Sequence, residues 1–146
     1  MAYIVSYRKA SDPHSTYRLA TPDGAECTEL CELDGVTYVS IPDGTELPAQ
    51  PAQIADSVAA VTLDPVVREA IKTTSQHCQL IDERMRDMIR AQYSMEDELK
   101  FARIGVGAAM GMYQPTNDEV QAMTVFGEFV EGVRQWGKEQ RAALGL

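Results

Sequence analysis

Five groups of residues have the types and spacing that chemistry would need. Cys27 and Cys31 are four apart, too far for a zinc knuckle or a redox pair. On an unbroken strand they would share one face, and structural thiols are the expectation. His77 and Cys78 pair a base with a nucleophile in name only. Adjacent helical residues point in different directions, and no third group orients the imidazole. Glu96, Asp97 and Glu98 look like paired acids, yet they follow Ser94 at a helix start, where carboxylates complement the helix dipole. Gly105, Gly107 and Gly111 form G-x-G-x-x-x-G, neither a dinucleotide fingerprint nor a Walker loop, and follow a helix, not a strand. Arg84, Arg86 and Arg90 alternate with Asp82, Glu83 and Asp87, a mixed exposed face. No nucleophile, base and orienter assemble, and no ligand set suits a metal. The chain reads as a non-enzyme with no cofactor.

The elements that would carry these residues fall into two unlike halves of a 146-residue chain. Five of the seven prolines lie in the first 51 residues. Tyr3–Tyr7 and Thr16–Ala20 are rich in β-branched and aromatic residues, hence strands. Asp34-Gly35 separates Cys27–Leu33 from Val36–Ile41, and a two-residue Asp-Gly loop favours a type I′ hairpin. Its expected register pairs Leu33 with Val36, Cys31 with Tyr38, Leu30 with Val39 and Thr28 with Ile41. Both hairpin faces then carry apolar residues, which predicts cover on both sides or a partner. Residues 1–45 read as a small antiparallel β unit, and 46–63, with Pro48 and Pro51, as an extended linker.

From residue 64 the pattern turns helical, giving an α+β chain with helices expected over about 65–92, 95–103 and 117–143. Asp64-Pro65 is a cap followed by proline in the first turn. Val67, Ile71, Thr74, Cys78, Ile81, Met85 and Met88 then recur at alternating spacings of four and three, the period of a coiled-coil seam. Ser94 to Asp97 and Thr116 to Glu119 have capping-box spacing. Glycines 105–111 predict a break after Arg103. The last helix carries a packing stripe of Val120, Met123, Phe126, Gly127, Val130, Val133 and Gly137, with Trp136 beside it. Most methionines lie in this half and suit an adaptable core or partner surface.

Three stretches, CELDGVTYVSIPDGTELPAQPAQI (Cys31–Ile54), IRAQYSMEDELKFARIG (Ile89–Gly105) and FVEGVRQWGKEQRAALGL (Phe129–Leu146), together resemble small proteins encoded among the tail genes of tailed bacteriophages and prophages. The resemblance implies a tail, tail-fibre, tip or baseplate role and brings no site residues with it. Tail tips and fibres are commonly threefold, so a homotrimer joined through Val67–Met88 and bound to other tail proteins is the expectation. An assembly chaperone for a tail fibre is the second reading, and an acidic inhibitor of a host enzyme the third.

Charge limits the partners. The net charge is −9, and a phosphate backbone or an anionic membrane needs clustered cations instead. Residues 1–60 hold 3 basic and 9 acidic residues, a net −6, against 10 and 13 in the remainder, a net −3. The acidity therefore decorates the β half. The N-terminal residues lack a secretory pattern and no apolar run approaches a membrane span, so synthesis in a reducing cytoplasm is expected, which the tail-gene resemblance implies is bacterial, with the virion tail as destination.

Overall fold

The computed structural model describes residues 1–146 and is an α+β chain, strands first and helices after. It divides into two compact units, Met1–Ile81 with Glu139–Leu146, and Asp82–Lys138.

The first unit is built on an antiparallel four-stranded sheet in the order β4 (Thr28–Leu33), β5 (Val36–Ile41), β1 (Tyr3–Tyr7), β6 (Ala59–Val61). Asp34 and Gly35 take φ of 50° and 78°, the positive values a type I′ turn requires. They join β4 (Thr28–Leu33) to β5 (Val36–Ile41). Leu33 opposes Val36 and Cys31 opposes Tyr38, as expected. Beyond Cys31 the register shifts: Glu29, not Leu30, faces Val39, and Thr28 faces Ser40, not Ile41. Leu30 is the extra residue of a bulge, and the bulge has a physical purpose. It turns Leu30 and Cys31 toward the same core cluster, which strict alternation forbids.

β1 (Tyr3–Tyr7) pairs with β5 on one side and with the short β6 (Ala59–Val61) on the other. Its alternation serves two cores. Val5 and Tyr7 join Val39, Ile41 and Ile54 on one face. Ile4 joins Leu30 and Ile71 on the other. The two-sided apolar pattern is thus covered within one chain.

Residues 46–63 do not form the linker that their prolines suggest. Gln50 exchanges two hydrogen bonds with the backbone of Ala20, at 2.8 and 3.0 Å. Ile54 is fully buried in the first cluster, a 3-10 turn follows at Ala55–Ser57, and β6 then joins the sheet. Proline does extend this segment, but Leu47, Ile54 and Val58 bind it to the sheet. The strand expected over Thr16–Ala20 shrinks to β3 (Thr16–Tyr17), paired with β2 (Ala10–Ser11). Asp12 closes their loop by accepting from the N–H groups of His14 and Ser15 and from the Tyr17 hydroxyl, each at 2.8 Å.

The helix expected over 65–92 is two helices. In α1 (Pro65–Thr74) Asp64 accepts from Val67 N at 2.9 Å, as the cap signal requires. Ser75 then takes an extended conformation, φ −64° and ψ 126°, and α2 (Gln76–Gln92) restarts. This break overturns the seam, because a 3.5-residue period keeps one face only along a continuous helix. Ile71 is buried against the sheet with Val67 beside it, Thr74 is exposed, and Cys78 and Ile81 are buried. The C-terminal Leu144 and Leu146 complete the same cluster. Gly145 makes that return possible: its φ is 84°, and a methyl group there would sit 3.1 Å from the Ala2 carbonyl oxygen.

The second unit holds the end of α2, then α3 (Met95–Ala109) and most of α4 (Asn117–Ala143). Both capping boxes form. Ser94 and Asp97 exchange bonds of 2.9 and 3.0 Å, and Thr116 and Glu119 exchange bonds of 3.0 and 3.2 Å. The break expected after Arg103 is absent, and α3 runs through Gly105 and Gly107. It stops at Gly111 (φ 69°), where Met112 N bonds Gly107 O and Gly111 N bonds Ala108 O, a Schellman end. Tyr93 packs edge-on against Phe101 and Phe126, at centroid distances of 6.1 and 4.9 Å.

The α4 stripe is partly corrected. Phe126 joins the aromatic cluster, Val133 and Gly137 are buried, and Met123, Val130 and Trp136 are half-buried. Val120 and Gly127 are exposed, because the Phe126 ring takes the inward place that Gly127 was expected to share.

Two sets of substitutions test this packing by thermal or denaturant unfolding. Ile71→Ala should cost about 2–5 kcal/mol, the cost of a cavity at a fully buried site. Thr37 is as buried, but its hydroxyl has no partner. Thr37→Val should therefore leave stability unchanged or raise it by about 1 kcal/mol. In α4, Gly132 has open space around it, so Gly132→Ala should stabilise by about 0.5–1 kcal/mol. A methyl group on Gly137 would run into the Met85 sulfur, so Gly137→Val should destabilise instead.

Candidate functional site

Placed in three dimensions, the residues with chemical potential do not converge. The bulge at Leu30 separates the first two thiols: Cys27 packs on one face of the sheet and Cys31 on the other. No disulfide joins the three cysteines, and burial pushes the Cys27 and Cys31 thiols upward, away from the reactive thiolate. Cys78 is buried while the adjacent His77 is exposed, so the sequence neighbours face opposite environments.

A depression of about 360 Å³ does gather His77, Cys31, Glu29 and Glu32 beside the α1–α2 break. Glu29 is already engaged by Lys9 at 2.6 Å. No hydrogen bond joins His77 to Cys31 or to a carboxylate there, so the depression lacks an activated nucleophile. No group of three or more His, Cys, Asp or Glu side chains is arranged to hold a metal ion. No helix is long and apolar enough to cross a membrane.

The acids at the helix starts serve their helices. Asp97 is lowered from the usual carboxylate value, chiefly because the Ser94 N–H donates to it. Glu119 is lowered in the same way, first by the Thr116 N–H and then by the Tyr113 hydroxyl at 2.7 Å. That shared proton raises Tyr113 in turn. Tyr113 reaches Glu119 because the chain folds back over Gly107, where a methyl group would lie 3.1 Å from the Tyr113 Cβ. Of the basic trio, Arg90 bonds Glu98 at 2.9 Å and the Tyr93 carbonyl at 3.3 Å, fixing the turn from α2 to α3.

The surface that stands out is apolar. Leu99, Val106, Met110 and Met112 are 49%, 58%, 67% and 78% exposed, and with Ala102, Arg103 and Gly107 they line a depression of about 420 Å³. Met85 and Met88 of the expected seam contribute nothing here: Met85 packs at Gly137 and Met88 lies outside the depression. Leu99, Ala102 and Val106 escaped the sequence reading because the helix was expected to end at Arg103. Continued through Gly105, their spacing of three and four is a readable stripe. No family model, no curated protein and no solved structure matches the chain.

The lowered carboxylates give a pH dependence with a definite sign. A group depressed by folding stabilises the fold above its unfolded value and loses that effect as pH falls through its folded value. The helix-melting midpoint should therefore be level above about pH 5 and fall on acidification. Glu119→Gln should lower the midpoint at neutral pH and flatten part of the acid limb, read by far-ultraviolet circular dichroism.

Proposed function

We propose that this chain is a non-enzymatic structural protein that acts by binding other proteins, self-associating and joining a bacteriophage tail near its fibre, tip or baseplate. The observation that carries the interaction reading is the exposed apolar face of α3. Isolated apolar residues are ordinary on a surface, but Leu99, Val106, Met110 and Met112 are contiguous around one depression. The resemblance of the Cys31–Ile54, Ile89–Gly105 and Phe129–Leu146 stretches to tail-gene products supports the setting. A net charge of −9 favours protein partners over nucleic acid or an anionic membrane.

The mass spectrum of purified particles from a phage or induced prophage encoding this chain tests the proposal. Peptides from residues 1–146 should appear in a fixed ratio to known tail proteins. Abundance in the lysate with absence from the particle would overturn the structural reading in favour of an assembly chaperone.

A further inference from the structure

The α3 helix is apolar on two opposite faces. Phe101 and Ile104 point inward, one into the aromatic cluster and the other buried. On the far side Met95, Leu99, Ala102 and Val106 follow one another at spacings of four, three and four, the period of a coiled-coil seam. All four are exposed. Contiguous apolar side chains on a helix face are normally covered, and here the outer face has no cover within the chain.

The charges beside the seam narrow what covers it. With Leu99 and Val106 as a positions and Met95 and Ala102 as d positions, Glu96 and Arg103 both occupy e. Neither Glu96 nor Arg103 takes part in an ion pair within the chain. On the other flank Glu98 occupies g and is already held by Arg90 at 2.9 Å. In an antiparallel pair of helices e faces e, so Glu96 of each copy would meet Arg103 of the other. In a parallel pair g faces e, so Arg103 would have to compete with Arg90 for Glu98, and Glu96 would go unmatched.

We propose that the outer face of α3 binds the same face of a second copy, antiparallel, about a twofold axis near the middle of the helix. The exposed charges are self-complementary in that orientation, and one contact made twice closes the assembly. Small Ala102 near the axis lets the two backbones approach. The apolar depression beside it takes side chains of the opposite seam. The inference rests on the self-association reading and adds its surface, its orientation and twofold in place of threefold symmetry.

Sedimentation velocity on the full chain, from micromolar to millimolar concentration, tests it. The chain should dimerise. Val106→Asp should give a monomer with unchanged helix signal and a melting midpoint that no longer rises with concentration, since Val106 is exposed in the single chain. Glu96→Arg should weaken dimerisation about threefold to tenfold, because two ion pairs become two like-charge contacts. Glu96→Arg combined with Arg103→Glu should restore it, and this pair of variants decides the matter should Val106→Asp misfold. An oligomer indifferent to these changes would overturn the assigned surface and leave self-association standing. A chain monomeric throughout would overturn both, while the tail assignment is judged separately by particle composition.

Discussion

The first unit depends on the two-sidedness of β1. Its five residues alternate between two cores, Val5 and Tyr7 into one and Ile4 into the other. A sheet with apolar side chains on both faces cannot leave either in water. Burial of each such side chain is worth about 1.5–3 kcal/mol, so both faces must be covered. One face is closed by the segment from Leu47 to Val58 and the residues around Leu19. The other needs α1 through Ile71 and the chain end through Leu144 and Leu146. The bulge at Leu30 and the positive φ of Gly145 follow from the same demand. Each delivers an apolar side chain to the second face that regular geometry would withhold.

The second unit solves a different problem, three helical segments with few deeply buried side chains. Only Ile104 and Val133 among its aliphatic residues are deeply buried. Four rings, Tyr93, Phe101, Phe126 and Phe129, supply the bulk between them, in edge and tilted contacts. Weak burial places weight on the helix ends. Reciprocal capping boxes start α3 and α4, and Schellman geometry stops both, at Gly111 and at Gly145. A cap is worth about 1 kcal/mol, comparable to the cost of one interior glycine.

Local chemistry was the legible part of the sequence. Asp34-Gly35, Asp64-Pro65, Ser94 with Asp97, and Thr116 with Glu119 each declare a turn or a cap within four residues, and each forms as read. What escaped depends on contacts far away in sequence. Nothing near Leu30 announces a bulge, because its reason is Ile71, forty-one residues on. Nothing near Pro48 and Pro51 shows that Ile54 will find Val5 and Ile41. Ser75 is a mild residue in a good helical pattern, yet its backbone is extended so that Ile71 can face the sheet and α2 can restart. The regular spacing from Val67 to Met88 was real. It belonged to two helices, and the half that includes Ile71 was spent on the core of one chain.

The glycines of α3 show how one local rule misplaced a surface. Gly105 and Gly107 each disfavour a helix by about 1 kcal/mol, so ending α3 at Arg103 is the reasonable inference from propensity. Tertiary packing outweighs it: Phe101 and Ile104 dock inward, Tyr113 needs the bare backbone of Gly107, and Gly111 ends the helix four residues later. Once the helix continues, Val106 falls in line with Leu99 and Ala102, and Met110 extends the patch at the helix end. Two glycines that read as a break are therefore compatible with a continuous apolar face. The inward stripe is enough to fold the helix. The outward stripe adds nothing to folding in a single chain, and it is this face that the proposed antiparallel pair would cover.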